Sequence, residues 1–318
     1  MAGYLVRRVL ALIPVLSVVA VVTFGLMHMM PGDAAAVMLG PDASPEQVEE
    51  LRESLGLNEP LLVQFVTWVG AALTGDLGTS FFIGMPVTDV LLAALGPTIN
   101  LAVLAQALAI LIGVPAGILA AKKQGTSTDQ TVMVGALMGI SVPSFLLGLF
   151  LMLLFGVILG WLPVAGYAPP EQGLGEALRY LVLPATALGA MQAALIARMT
   201  RTAMLDTFSK NYMKTAKAKG LSARISLYKH ALRNAALPII TTIGQTLGTL
   251  IAGAAVVETV FNIPGIGQLI VNSVERRDLV VIQGVVLMIA VSYVLINFLV
   301  DVLYSVLDPR VRFAGGDG

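Results

Sequence analysis

Apolar residues run through this chain in long uncharged stretches, and polar residues collect between them. Six runs qualify or nearly qualify as membrane spans, at 9–32, 90–121, 130–170, 180–197, 234–257 and 279–300. A helix needs about 20 apolar residues to cross the hydrocarbon layer. The runs predict helices near 9–30, 98–121, 132–159, 180–198, 237–259 and 279–303. The third run is long enough for two spans. Trp161–Pro163 and the Gly/Pro-rich stretch 166–175 read instead as an interfacial exit and a loop. The fourth run is short and holds Pro184.

One polar island interrupts this pattern. Asn211–Ile240 is rich in Lys and Arg, holds no acid, and lies between two apolar runs. In its second half Leu221, Ile225, Tyr228, Leu232 and Ala235 recur at alternating spacings of four and three, which places them on one helix face. Ser222, Ser226, Lys229 and Arg233 form a polar stripe beside them. A shorter helix, near 212–219, precedes Gly220, and a glycine there can take the left-handed conformation that ends one helix and admits the next. The residues alone leave two readings open. The island is a basic element lying on anionic lipid, or its apolar face is an anchor for a groove on a soluble partner.

The segment 31–97 is the largest soluble piece, with nine acids and one base. Ser44-Pro45-Glu46-Gln47 is a helix start, with Ser as N-cap, Pro at the first position and Gln closing a capping box. Gly56 ends that helix, and a second helix near 61–73 stops before Gly75–Gly78. The loop reads equally as a lid on its own spans or as a surface for an external partner. After the island, Val257–Phe261 leads into the bend Asn262–Gly267, which makes Glu258, Phe261, Pro264 and Gly265 candidates for an outer-face gate or turn. Leu307–Arg312 stops the last helix with a proline and basic residues.

Composition settles the class. The chain is 57% hydrophobic and 12% charged, with a mean hydropathy of +0.87, where a soluble domain carries about 25% charged residues. It is an all-α polytopic membrane protein. Charge then sets the expected orientation. With six spans and the N-terminus inside, the inner segments hold 15 of the 19 basic residues: Arg7, Arg8, Lys122, Lys123, the nine from Arg198 to Arg233, Arg310 and Arg312. Splitting the third run would break this parity. Both termini are therefore expected in the cytoplasm, and the uncleaved first span is too long for a signal peptide.

The chemistry is as informative for what it lacks. There is no cysteine, and the two histidines, His28 and His230, lie far apart, so no zinc cluster can be drawn. No phosphate loop, no HExxH and no recognisable hydrolase arrangement occurs. No enzyme, cofactor or nucleic-acid role follows from these residues. Only Glu258 and Asp301 come close to lying inside a span, and both sit near helix ends. That disfavours the rival of another class, an ion-coupled secondary transporter.

Tyr212–Leu221 and His230–Ile239 together resemble the loop shared by permease subunits of ABC importers, in the dipeptide/oligopeptide/nickel branch. That loop carries a Glu-Ala-Ala…Gly pattern. Here Lys214 and Thr215 stand at the Glu and first Ala positions, while Ala216 and Gly220 agree. The Lys/Arg-Thr-Ala version is usual in the peptide branch. Tyr4–Arg8 with Ile13-Pro14, His28–Asp33, Gly75–Ser80, Val257–Phe261 with Pro264-Gly265, and Asp308–Arg310 extend the likeness nearly end to end, to the first-permease type of the pair.

The resemblance implies a six-span type I ABC importer permease with a helical extracytoplasmic loop, in a bacterial inner membrane. It implies a first span plus acidic loop at 1–97, a five-span core at 98–310 with a cytoplasmic coupling loop at 199–236, and a tail at 311–318. Lys214, Thr215, Ala216, Lys217, Gly220 and Leu221 would dock the ATPases. The implied partners are a second homologous permease, two ABC ATPase subunits holding ATP and Mg, an extracytoplasmic substrate-binding protein, and lipid. The implied substrate is a di- or oligopeptide, with nickel chelates, glutathione or sugars as the alternatives.

Overall fold

A computed structural model describes residues 2–307 apart from 30–33, 41–42, 55, 81 and 223–224. The tail at 311–318, the helix stop at 308–310 and the Pro31–Asp33 part of the likeness lie outside the described residues.

All six expected spans are helical. The first lies in α1 (Ala2–Met29), the second in α5 (Val87–Lys122), the fourth in α8 (Leu174–Ser209), the fifth in α10 (Arg233–Phe261) and the last in α12 (Leu279–Leu307). Val87–Lys122, Leu174–Ser209 and Leu279–Val300 are each long and apolar enough to cross a membrane unaided. Among the described residues there is no strand, only a single bridge between Thr79 and Pro86.

The third span is not the single helix expected at 132–159. It is a pair, α6 (Ser127–Ser141) and α7 (Ser144–Leu151), the latter continuing as a π-helical turn over Met152–Ile158. The two halves meet at 104°. Pro143 is the cause. It forces its predecessor Val142 out of helical geometry, to φ −86° and ψ 122°. Prolines elsewhere are accommodated. Pro184 sits inside α8, which at 36 residues is far longer than expected. Freed backbone groups in membrane helices are re-satisfied by neighbouring helices and polar side chains.

The segment after the first span folds as the local signals predict. Besides α2 (Ala34–Leu39) it holds α3 (Pro45–Ser54) and α4 (Leu61–Leu73). The capping box is formed: Gln47 N–H donates to Ser44 Oγ at 3.3 Å, and Ser44 N–H donates to Gln47 Oε1 at 2.9 Å. Leu57 N–H reaches back to Arg52 O at 2.9 Å across Gly56, closing the helix. α4 packs on α1 through an aromatic cluster, with Phe24 against Phe65, Trp68 and His28. His28 is thus a packing residue, hydrogen-bonded to Gln64 at 3.1 Å.

The described residues form two compact units, 99–263 with 296 onward, and 2–98 with 264–295. In the second unit Val87, Leu91, Ile266, Val281 and Val285 make the core. There α11 (Ile266–Glu275) is a helix that the Pro/Gly bend gave no reason to expect. Ser80 Oγ donates to Asp278 Oδ2 at 2.5 Å, and both residues are buried.

In the first unit α8 is the hub, packed against α10, α6 and α7. Small residues let the helices approach closely. On α5 Gly113 and Gly117 face the Ala193 and Ala197 carbonyls of α8, where an added Cβ would lie 2.6 and 2.5 Å from oxygen.

Candidate functional site

The basic island is held by one side chain that its apolar stripe did not include. A helix, α9, covers Asn211–Ala218, close to the expected 212–219. Met213 on it is only 2% exposed and belongs to a cluster with Ala203, Met204, Ala231, Ala235 and Ile239. This plug seats α9 on α8 and the start of α10. Gly220 follows with φ +73°, the left-handed conformation expected of it. Ser222 then opens the next helix, its Oγ accepting from Ile225 N–H at 3.4 Å and its carbonyl from Ser226 N–H at 3.0 Å.

That second helix is not separate from the span. Ser226–Leu232 is a π-helical turn that runs directly into α10. A π turn hydrogen-bonds i→i+5, so the spacing of four and three does not keep one face. The expected stripe divides. Ala235 is buried and Leu232 partly so, packed under α9. Leu221, Ile225 and Tyr228 are 37%, 45% and 55% exposed. The island therefore presents a small apolar surface next to the left-handed turn, with Tyr212, Thr215, Lys219 and Lys229 also exposed. Thr215 Oγ1 bonds back to Asn211 O at 3.2 Å. The side chains of Lys214, Ala216 and Lys217 lie outside the described residues.

At the other end of α10 the gate-or-turn candidates are placed as follows. Asn262 takes φ +51°, ending the helix, and Ile263 N–H donates to Glu258 O at 2.8 Å. The Glu258 side chain is fully buried. Phe261 is buried in the main apolar core and packs against Gly148. Its carbonyl accepts from Gly166 N–H at 2.8 Å. Pro264 and Gly265 form the turn into α11, Gly265 at its N-cap.

Two polar features of the first unit were not singled out from the sequence. Arg201 makes a bidentate ion pair with Asp129 of α6, and Gly125 N–H completes it by donating to Asp129 Oδ2 at 3.0 Å. Gln106 and Gln192 reach the Thr246 and Thr249 hydroxyls of α10 at 3.3 and 3.2 Å. The only local hints were an acid in a first helical turn and two amides within apolar runs.

Residues 113–313 match the family described as the binding-protein-dependent transport system inner membrane component. Residues 1–102 match its N-terminal membrane-component companion. The chain belongs to this family.

The permease is 44% identical over 313 residues to a probable peptide ABC transporter permease, y4tP, of Sinorhizobium fredii, covering 98% of this chain and 100% of that protein. It is 42% identical to the glutathione transport system permease protein GsiC of Escherichia coli, with the same coverage. It is 41% identical to the dipeptide transport system permease protein DppB of Alkalihalophilus pseudofirmus, again over 98% and 100%. Among solved structures the MetNI methionine ABC transporter matches with a TM-score of 0.58 at 20% identity, over 69% of this chain and 96% of that one. An amino acid ABC transporter matches with a TM-score of 0.52 at 15% identity, over 68% and 94%. These confirm the expected all-α, type I ABC importer permease fold. The chain is a membrane-embedded permease subunit of an ABC importer.

Proposed function

We propose that this permease forms half of the translocation path of an ATP-driven importer of di- or oligopeptides. In this reading it pairs with a second, homologous permease in a bacterial inner membrane, with both termini in the cytoplasm. Two ATPase subunits, which hold the ATP and Mg, grip the island at Lys214, Thr215, Ala216, Lys217, Gly220 and Leu221, within a coupling loop at 199–236. A substrate-binding protein delivers peptide at the opposite face, where Glu258, Phe261, Pro264 and Gly265 shape the turn.

The observation that carries the docking reading is the exposed apolar surface of Leu221, Ile225 and Tyr228 on a segment plugged into the bundle by Met213. An unpaired apolar face on a seated helix is what a partner groove takes up, and the plug transmits the partner's movement to α8 and α10. ATP would then bias a two-state bundle from a distant site.

Peptide as cargo is supported by the names of the relatives. The glutathione relative supports a second reading, and glutathione is itself a peptide-like acid. Reconstituting the permease with its partner permease, ATPases and binding protein in vesicles tests the reading. ATP-dependent uptake of a labelled dipeptide is expected. Uptake by the chain alone, driven by an ion gradient, would overturn it.

A further inference from the structure

α8 and α10 flank an open groove of about 330 Å³ whose largely apolar wall carries a set of polar side chains. Thr242, Gln245, Thr246 and Thr249 line it from α10, and Arg198 and Thr202, beside the apolar Leu195 and Met199, from α8. The α10 positions recur at three- and four-residue spacing, so they form one face of that helix. Arg198, Thr202, Gln245 and Thr249 are exposed. A row of exposed hydroxyl, amide and guanidinium groups on two membrane helices is costly against lipid tails. Such a face belongs against water.

The groove is also built. Thr246 is buried, and its hydroxyl donates to Ile243 O at 2.9 Å while Gln106 of α5 holds it from behind at 3.3 Å. Gln192 Nε2 donates to Thr249 Oγ1 at 3.2 Å. Gln192 is itself buried, and its Oε1 finds no partner among the described residues. Two arginines three residues apart on α8 contrast sharply. Arg201 is consumed by Asp129, whereas no acid lines the groove that Arg198 enters. A cation among hydroxyls and amides, without a counter-charge, recognises an anionic oxygen group.

We propose that this groove is a substrate station on the translocation path, in which Arg198 pairs with the terminal carboxylate of the passing peptide while Gln245, Thr246 and Thr249 contact its backbone. The volume lies near the lower end of the range for small-ligand sites, about 300–1,000 Å³, and suits the end of a peptide. The assignment rests on the peptide-importer reading above. A lipid phosphate is the other source of the same chemistry.

The test uses the assembled importer in vesicles, with a labelled dipeptide and its C-terminal amide as probes. Arg198→Gln is expected to slow uptake of the free acid about tenfold, the scale of one charge-assisted hydrogen bond. The amide should slow less than about twofold by the same reasoning, since it has no charge to lose. Arg198→Lys should restore part of the loss. The binding protein is common to all variants, so its own preference cancels in the ratio. The chain has no cysteine, which makes Thr249→Cys a unique reporter on it. Free dipeptide should protect that thiol from alkylation, and Arg198→Gln should abolish the protection.

Equal slowing of acid and amide, or no protection of Thr249→Cys, would overturn the groove assignment while leaving peptide import intact. A difference that disappears in vesicles of phosphatidylcholine alone would assign the anion to lipid and overturn it as well. A wild-type importer that hydrolyses ATP but takes up neither peptide would remove the cargo reading itself, and the groove assignment with it.

Discussion

Arg201 grips Asp129 with two parallel hydrogen bonds, Nε to Oδ1 at 2.6 Å and Nη2 to Oδ2 at 2.8 Å. The pair ties the first turn of α6 to α8, so the bent helix pair is pinned to the hub helix at its start. A planar guanidinium makes this fork and a lysine does not. Asp129→Asn and Arg201→Gln should each lower the thermal midpoint of the detergent-purified importer. The double variant should lose less than the sum, because each single change leaves one charge without its partner. Additive losses in a thermal-shift series would show that the pair does not act as a unit.

Gly220 holds φ +73° in open space, where nothing lies within 4 Å of an added Cβ. Gly220→Val therefore acts through backbone strain alone, about 1–2 kcal/mol. The spans should keep their helical content by circular dichroism while co-purification with the ATPase subunits falls. Unchanged recovery of the ATPases would count against the island as their docking element.

Met213 and Leu221 belong to the same island and should behave oppositely. Met213→Ala empties a buried site and should cost about 2–5 kcal/mol of local stability. It should free α9 and expose it to protease in the purified permease. Leu221→Ala removes an exposed side chain, so it should leave proteolysis unchanged and weaken only ATPase binding. Equal protease sensitivity of the two variants would contradict the plug.

Phe261 is packed in the main apolar core. Phe261→Ala should cost about 3–5 kcal/mol and appear as lost thermal stability of the permease. Normal stability with a leak of small solutes through reconstituted vesicles would instead mark Phe261 as a gate residue.

Gly117 meets the Ala197 carbonyl, with 2.5 Å between that oxygen and an added Cβ, whereas nothing lies within 4 Å of one at Gly135. Gly117→Ala should destabilise by about 1–3 kcal/mol through overpacking. Gly135→Ala should be neutral or slightly stabilising through helix propensity. Thermal midpoints of the two purified variants check the contrast.

The features legible beforehand are those set by neighbours in the chain. The capping box at Ser44 and Gln47 needs only a turn of backbone, and both its hydrogen bonds are present. Gly220 needs only its own freedom at φ +73°. Among the described residues three helices are long and apolar enough to cross a membrane, or up to five if each bent pair is one span, and those needed only the length of their apolar runs.

Where reading failed, the deciding partner was distant. The stripe from Leu221 to Ala235 assumed a regular α-helix, and the π turn at Ser226–Leu232 divided it into an exposed end and a buried end. Met213 became the anchor because Ala203, Met204 and Ala231 close around it. Residue type and spacing thus set the class, the apolar helices and the turn at Gly220, since hydration and backbone sterics act within a few residues. Which arginine is neutralised by Asp129 and which faces an open groove was decided only when α6, α8 and α10 came together, because electrostatic pairing depends on distance through space and not along the chain.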